Sequence, residues 1–162
     1  MAHRARTIRS GFAAIAIAAV VGTTGCSWVD HRTPADGADA PQGAALTQAA
    51  LDFGDWHLPP DAKVLLARDD YHRDPNYKLA VEVSPDGLTR MLNESNFSTL
   101  FNEGFPVYND ETIAGPPLST SPHVKEAQDI FVSKEGDSMI RAVVVDERTP
   151  ELRIVHIEFR GQ

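Results

Sequence analysis

Cysteine is almost missing from this chain: Cys26 is the only one among 162 residues. An internal disulfide is therefore impossible, as is any zinc site built on paired cysteines. Long apolar runs are missing too. Phe12 to Val21 (FAAIAIAAVV) is unbroken but short. As a helix it would reach only about half of the roughly 30 Å hydrocarbon core. Positive charge is scarce, with 15 Lys and Arg against 23 Asp and Glu, a formal net charge of −8. Phosphate backbones and anionic headgroups repel such a chain, which argues against nucleic acid as a partner.

Catalytic and cofactor signatures are absent as well. There is no His-Glu-x-x-His, no Gly-x-Ser-x-Gly and no Ser-x-x-Lys. No glycine-rich phosphate loop or dinucleotide fingerprint occurs, so the sequence implies no cofactor. The histidines His31, His57, His72, His123 and His156 never fall two or four residues apart, the spacings that bring two imidazoles to one metal.

The N-terminus is informative. His3, Arg4, Arg6 and Arg9 precede the apolar run, Gly22-Thr23-Thr24-Gly25 follows it, and the first carboxylate is Asp30. Positive, apolar, then small is the order of a secretory signal peptide. A membrane-spanning helix would be longer, and an N-terminal helix buried against the fold would still need a polar face, which this run lacks. The stretch Thr23-Thr24-Gly25-Cys26 resembles the lipobox of bacterial lipoproteins, with Thr23 standing where the family usually has an aliphatic residue. The resemblance implies a diacylglyceryl group on the Cys26 thiol and cleavage between Gly25 and Cys26. Simple secretion after ordinary signal cleavage is the alternative. The Ala/Gly/Asp/Pro-rich residues after Cys26 resemble those of small actinobacterial lipoproteins of unknown function. Chemistry points the same way: a lone thiol is a liability in an oxidising compartment, and two acyl chains suffice for stable anchoring where one does not. With Arg4, Arg6 and Arg9 removed, the net charge moves from −8 to −11.

The expected organisation is a signal peptide over residues 1–25, a lipid-anchored flexible linker over 26–45 and one domain over 46–162. The linker is too poor in large apolar residues to offset its ordering entropy. As a coil it spaces the domain roughly 25 Å from the anchor. Trp28, two residues past Cys26, suits either an interfacial tryptophan at headgroup level or an idle residue of the tether.

Within the domain, Thr47–Phe53 fits a short helix or a strand, and Trp56–Pro60 must be irregular because consecutive prolines lack N–H donors. Strands are expected at Lys63–Asp69 and Tyr77–Val83, the second alternating Leu79, Val81 and Val83 with polar or small neighbours. Ser84-Pro85-Asp86 opens a helix by N-cap, first-turn proline and dipole chemistry, with Leu88, Met91 and Leu92 on one face and an end near Ser95-Asn96. Phe97–Val107 is apolar but broken by Gly104 and Pro106, and Thr112–Pro122 reads as a loop. Three strands follow, at Gln128–Ser133, Met139–Asp146 and Leu152–Arg160. The fold class is α+β: an antiparallel sheet of about five strands with one helix packed on one face.

Two clusters are candidates for chemistry. Asp69-Asp70-Tyr71-His72-Arg73-Asp74 gathers carboxylates and an imidazole, but it lacks the glycine and distal glutamate of a calcium loop and suits a polar hairpin tip. His156 and Glu158 share one face of the last strand, where Arg141 of the preceding strand is expected to join them on the open side of the sheet. Function is therefore expected to be that of a membrane-anchored, non-catalytic domain that binds a protein or envelope ligand. A cell-envelope hydrolase and a small inhibitor or immunity-type protein are the alternatives.

Overall fold

The computed structural model describes residues 40–70, 73–104 and 111–162. The signal peptide, Cys26, Trp28 and the linker up to residue 39 lie outside the described residues, as do Tyr71, His72 and residues 105–110.

The architecture is α+β. Helix α1 (Ala40–Gly54) precedes the hairpin of β1 (Lys63–Asp69) and β2 (Asn76–Val83); helix α2 (Pro85–Glu94) and the short β3 (Asn102–Glu103) come next. A 3₁₀ turn at Leu118–Thr120 leads into the meander β4 (Val124–Val132), β5 (Ser138–Asp146) and β6 (Arg153–Gly161). The sheet is antiparallel with the order β1-β2-β6-β5-β4-β3. Among the described residues, six strands and two helices thus replace the expected five and one. β3 is the added strand, and α1 is the added helix.

Local chemistry explains each boundary. The segment from Thr47 to Phe53 resolves as helix, and α1 begins at Ala40, inside the stretch read as linker. Ala44, Ala45, Ala49 and Ala50 are the best helix formers, whereas no period-two alternation supports a strand. The helix stops as Asp55 turns to φ 46° and the Trp56 N–H bonds Leu51 O at 2.9 Å. For α2, the Ser84 hydroxyl accepts the Gly87 N–H at 2.9 Å and donates to Asp61 at 2.6 Å, with Pro85 in the first turn. Its end is Asn96 at φ 52°, one of the few side chains that tolerate the left-handed region.

One face of the sheet holds the core. Leu79, Val81, Val83, Val143, Val145, Val155, Ile157 and Phe159 meet Ala50 and Phe53 of α1, Leu88 and Met91 of α2, and Trp56 and Phe97. Both helices therefore cover the same face. Gly54 passes so close to Phe159 that an added Cβ would lie 2.6 Å from its ring.

Candidate functional site

In the hairpin cluster, Asp70 is committed to ion pairs. Asp70 is bound by Arg68 Nε at 2.6 Å and by Lys78 at 3.2 Å; Glu111 takes Arg68 and Lys78 at 2.6 Å each. Arg68 holds the Asp70 carboxyl below the usual carboxylate range, with Lys78 helping against the opposing effect of burial. Among the described residues, no group of three His, Cys, Asp or Glu side chains is placed to hold a metal ion.

The expected grouping of Arg141 with His156 and Glu158 is corrected. Residues paired across an antiparallel sheet share a face, and Arg141 pairs with Phe159, a core residue. His156 and Glu158 occupy the opposite face. Arg141 is buried on the helical side, where it makes a fork with Asp129, Nε at 2.9 Å and Nη2 at 2.6 Å. Its Nη1 donates to Ser95 O at 2.9 Å and lies 3.5 Å from Gly54 O. The guanidinium also stacks 4.4 Å from the Phe131 ring centre and 5.5 Å from those of Trp56 and Phe97. These contacts place one cation at the C-terminal ends of both helices, where dipole and free carbonyls favour it. Its role is architectural.

The opposite face is not open where His156 lies. Residues 111–122 are strapped across it. The Ile113 N–H donates to His156 Nδ1 at 3.2 Å, and Leu118 seats against Val124 and Val144. Ser121 donates to Asp146 at 2.6 Å, and Arg148 grips the same carboxylate at 2.8 Å while reaching Pro117 O at 3.1 Å. Accepting at Nδ1 makes His156 the neutral Nε2–H tautomer. Burial pushes its pKa down to about 4, against an upward pull from Asp146. The buried Nε2 has no hydrogen-bond partner. An imidazole that stays neutral and pins a loop is a clasp rather than a proton shuttle at neutral pH.

Beside this strap lies an open cleft of about 440 Å³, bordered by Glu103, Leu118, Ser119, His123, Lys125 and Glu147. Its Lys125 and Glu147 pair with each other at 2.8 Å, and Arg153 also binds Glu147 at 3.1 Å. Among the described residues no hydroxyl is hydrogen-bonded to an imidazole nitrogen, so the cleft assembles no nucleophile and base.

The outer edge of β4 is the exposed one. Among the described residues, β3 covers β4 only at Lys125 and Glu126. Beyond that, Ile130 is 66% exposed and Val132 59%, while Leu100, just before β3, is 87% exposed. The backbone phase follows from two hydrogen bonds. Ser133 N–H bonds Asp137 O at 2.8 Å, so the odd residues of β4 face β5; Gly104 N–H bonds Val124 O at 2.9 Å, so the even ones face outward. The N–H and C=O groups of Gln128, Ile130 and Val132 therefore point off the sheet. Sequence reasoning placed β4 four residues late and had no signal for which edge would stay bare. Neighbour order comes from pairings between segments far apart in the chain.

Compared with known proteins, the chain matches no family model, no curated protein and no solved structure.

Proposed function

We propose that this chain is a membrane-tethered, extracytoplasmic binding domain, held by lipid on Cys26 after cleavage at Gly25 and working through contact rather than catalysis. The observation that carries the binding half is the edge of β4, whose outward amides beyond Glu126 have no strand partner among the described residues and lie beside exposed Ile130 and Val132. Such an edge is a template for an added strand, in which main-chain hydrogen bonds supply affinity and alternate side chains supply specificity. Supporting the non-catalytic half, three of the buried titratable groups, Arg141, His156 and Asp146, are engaged in tying helices and the strap to the sheet.

Two measurements test the proposal. In fractionated cells the wild-type chain partitions with membranes into detergent, and Cys26→Ser moves it to the soluble fraction; equal solubility of the two would refute the tether. A photo-crosslinking amino acid at Ile130 captures a protein in intact cells, whereas one at Leu66 on the opposite edge does not. Capture at neither position, or equally at both, contradicts the binding edge.

A further inference from the structure

Residues 111–122 are fastened to the sheet without joining it. Among the described residues they form no strand pair, and their turns close internally. Leu118 N–H bonds Thr112 Oγ1 at 2.9 Å, Thr120 N–H bonds Pro117 O at 3.0 Å and Ser121 N–H bonds Leu118 O at 2.9 Å. Attachment falls to three ties. Glu111 reaches Arg68 and Lys78 at the start, the Ile113 N–H donates to His156 Nδ1 in the middle, and Ser121 and Arg148 meet on Asp146 at the end. Between the last two, Leu118 seats on Val124 and Val144. A segment held this way can lift as a unit while the strand ladders stay intact.

The middle tie is chemically different from the others. To accept from Ile113, Nδ1 must present a lone pair, and Nε2 already carries the ring's proton. A second proton can therefore add only at Nδ1, where it turns an acceptor into a donor facing a donor. The surroundings do not reward the new charge. His156 is 1% exposed, and its Nε2 has no hydrogen-bond partner. On β5 the nearby carboxylate is Asp146, already shared by Ser121 and Arg148. On β6 it is Glu158, which lies 3.8 Å from Arg160 and attracts Lys78. Lys78 and Glu82 flank Ala80, the β2 residue opposite His156, and Glu111 is the acid on the strap. Of these groups Asp146 pulls the imidazole upward, and burial outweighs it.

We propose that residues 111–122 are an acid-released cover: a proton on His156 Nδ1 breaks the bond to Ile113 and lifts the strap off Val124 and Val144 while the six-stranded sheet stays folded. Acid thereby uncovers an apolar seat that is closed at neutral pH. The direction follows from linkage. Under the strap the imidazole titrates at about 4, and once lifted into water it returns toward the ordinary 6.5, so protons favour the lifted form between those values. Closure is complete above pH 6.5 and weakens as pH falls. From pH 7 to 5.5 the ratio of closed to lifted forms drops roughly eightfold. Glu111 keeps its charge over that range, because Lys78 and Arg68 hold its carboxyl below the usual carboxylate value.

The test is residue-resolved hydrogen exchange on the intact chain at pH 7 and 5.5, expressed as protection relative to the unfolded rate at each pH. Amides of Ile113, Leu118 and Ser121 are less protected than those of Val143 and Val155 at both pH values, and their protection falls roughly eightfold at pH 5.5. His156→Gln keeps a neutral acceptor that does not titrate, so its strap protection is equal at the two pH values. His123, exposed just beyond the strap, is the control imidazole, and His123→Gln keeps the eightfold change. Equal protection of strap and strands overturns the proposal, because His156 then acts only on global unfolding. So does strap protection that ignores pH, or a change that survives His156→Gln or vanishes in His123→Gln. If His156→Gln does not fold, the wild type and His123→Gln decide by the same readout.

Discussion

Arg141 sits where a lone charge is costliest, 1% exposed beneath two helices, and its environment answers every donor in turn. Asp129 takes the fork, Ser95 O and the Gly54 and Asn96 carbonyls take the rest, and three rings flank the plane. Removing one partner of such a pair strands the other. Arg141→Ala is predicted to destabilise the fold by about 3–5 kcal/mol in urea denaturation. Arg141→Lys recovers only part, because an ammonium cannot reproduce the planar fork. His156 sets a pH dependence. Its folded pKa of about 4 lies below the ordinary 6.5, so the unfolded chain binds more protons between those values. Stability is complete above pH 6.5 and falls as pH drops toward 4, by at most about 3 kcal/mol. The groups facing it are Asp146 and Glu158 on the sheet and the Ile113 amide on the strap. Denaturation midpoints at pH 7, 5.5 and 4.5 check this, and His156→Leu flattens that limb. An unchanged slope in the variant assigns the dependence elsewhere. The ion-paired Asp70 and Glu111, whose pKa values are lowered, act only in the carboxylate range below.

At the scale of elements, legibility followed local chemistry. α2 was readable, its start at the cap and its end to within a residue or two, because its cap, first-turn proline and apolar face are all contiguous. The first four residues of β4 were not, since Lys125 and Glu126 look like solvent residues. In the fold Lys125 pairs with Glu147 and Glu126 is buried. β5 misled for another reason. Val143, Val144 and Val145 are all buried because both faces of this central strand are covered, and that erases the period-two signal that would have placed Arg141. The two residues of β3 carry no pattern at all. The Gly54–Phe159 contact was equally invisible, being a meeting of residues far apart in sequence. Gly54→Ala is predicted to cost about 1–3 kcal/mol by overpacking. Phe159→Leu, costly alone, should offset part of that in the double variant, and strict additivity of the two in thermal unfolding would contradict the contact.

For the whole molecule, the pieces assemble into an address and a surface. The proposed address rests on a contiguous stretch from Met1 to Cys26, so it is a reading of sequence alone. The proposed surface is a sheet edge defined only by the order β1-β2-β6-β5-β4-β3, so the sequence had no signal for which strand would form it. Tethering matters to that surface because confinement raises the effective concentration of anything anchored beside it. With the proposed cleavage the body carries a net charge of −11, which anionic headgroups repel, so the proposed acyl chains are what would hold it near them. Everything about where the edge operates depends on Cys26. The most direct measurement is the intact mass of the mature chain extracted from membranes, with fragmentation of its N-terminal peptide. The account predicts a chain beginning at Cys26 and carrying a thioether-linked diacylglyceryl group. A chain beginning elsewhere, or at Cys26 with an unmodified thiol, would contradict it.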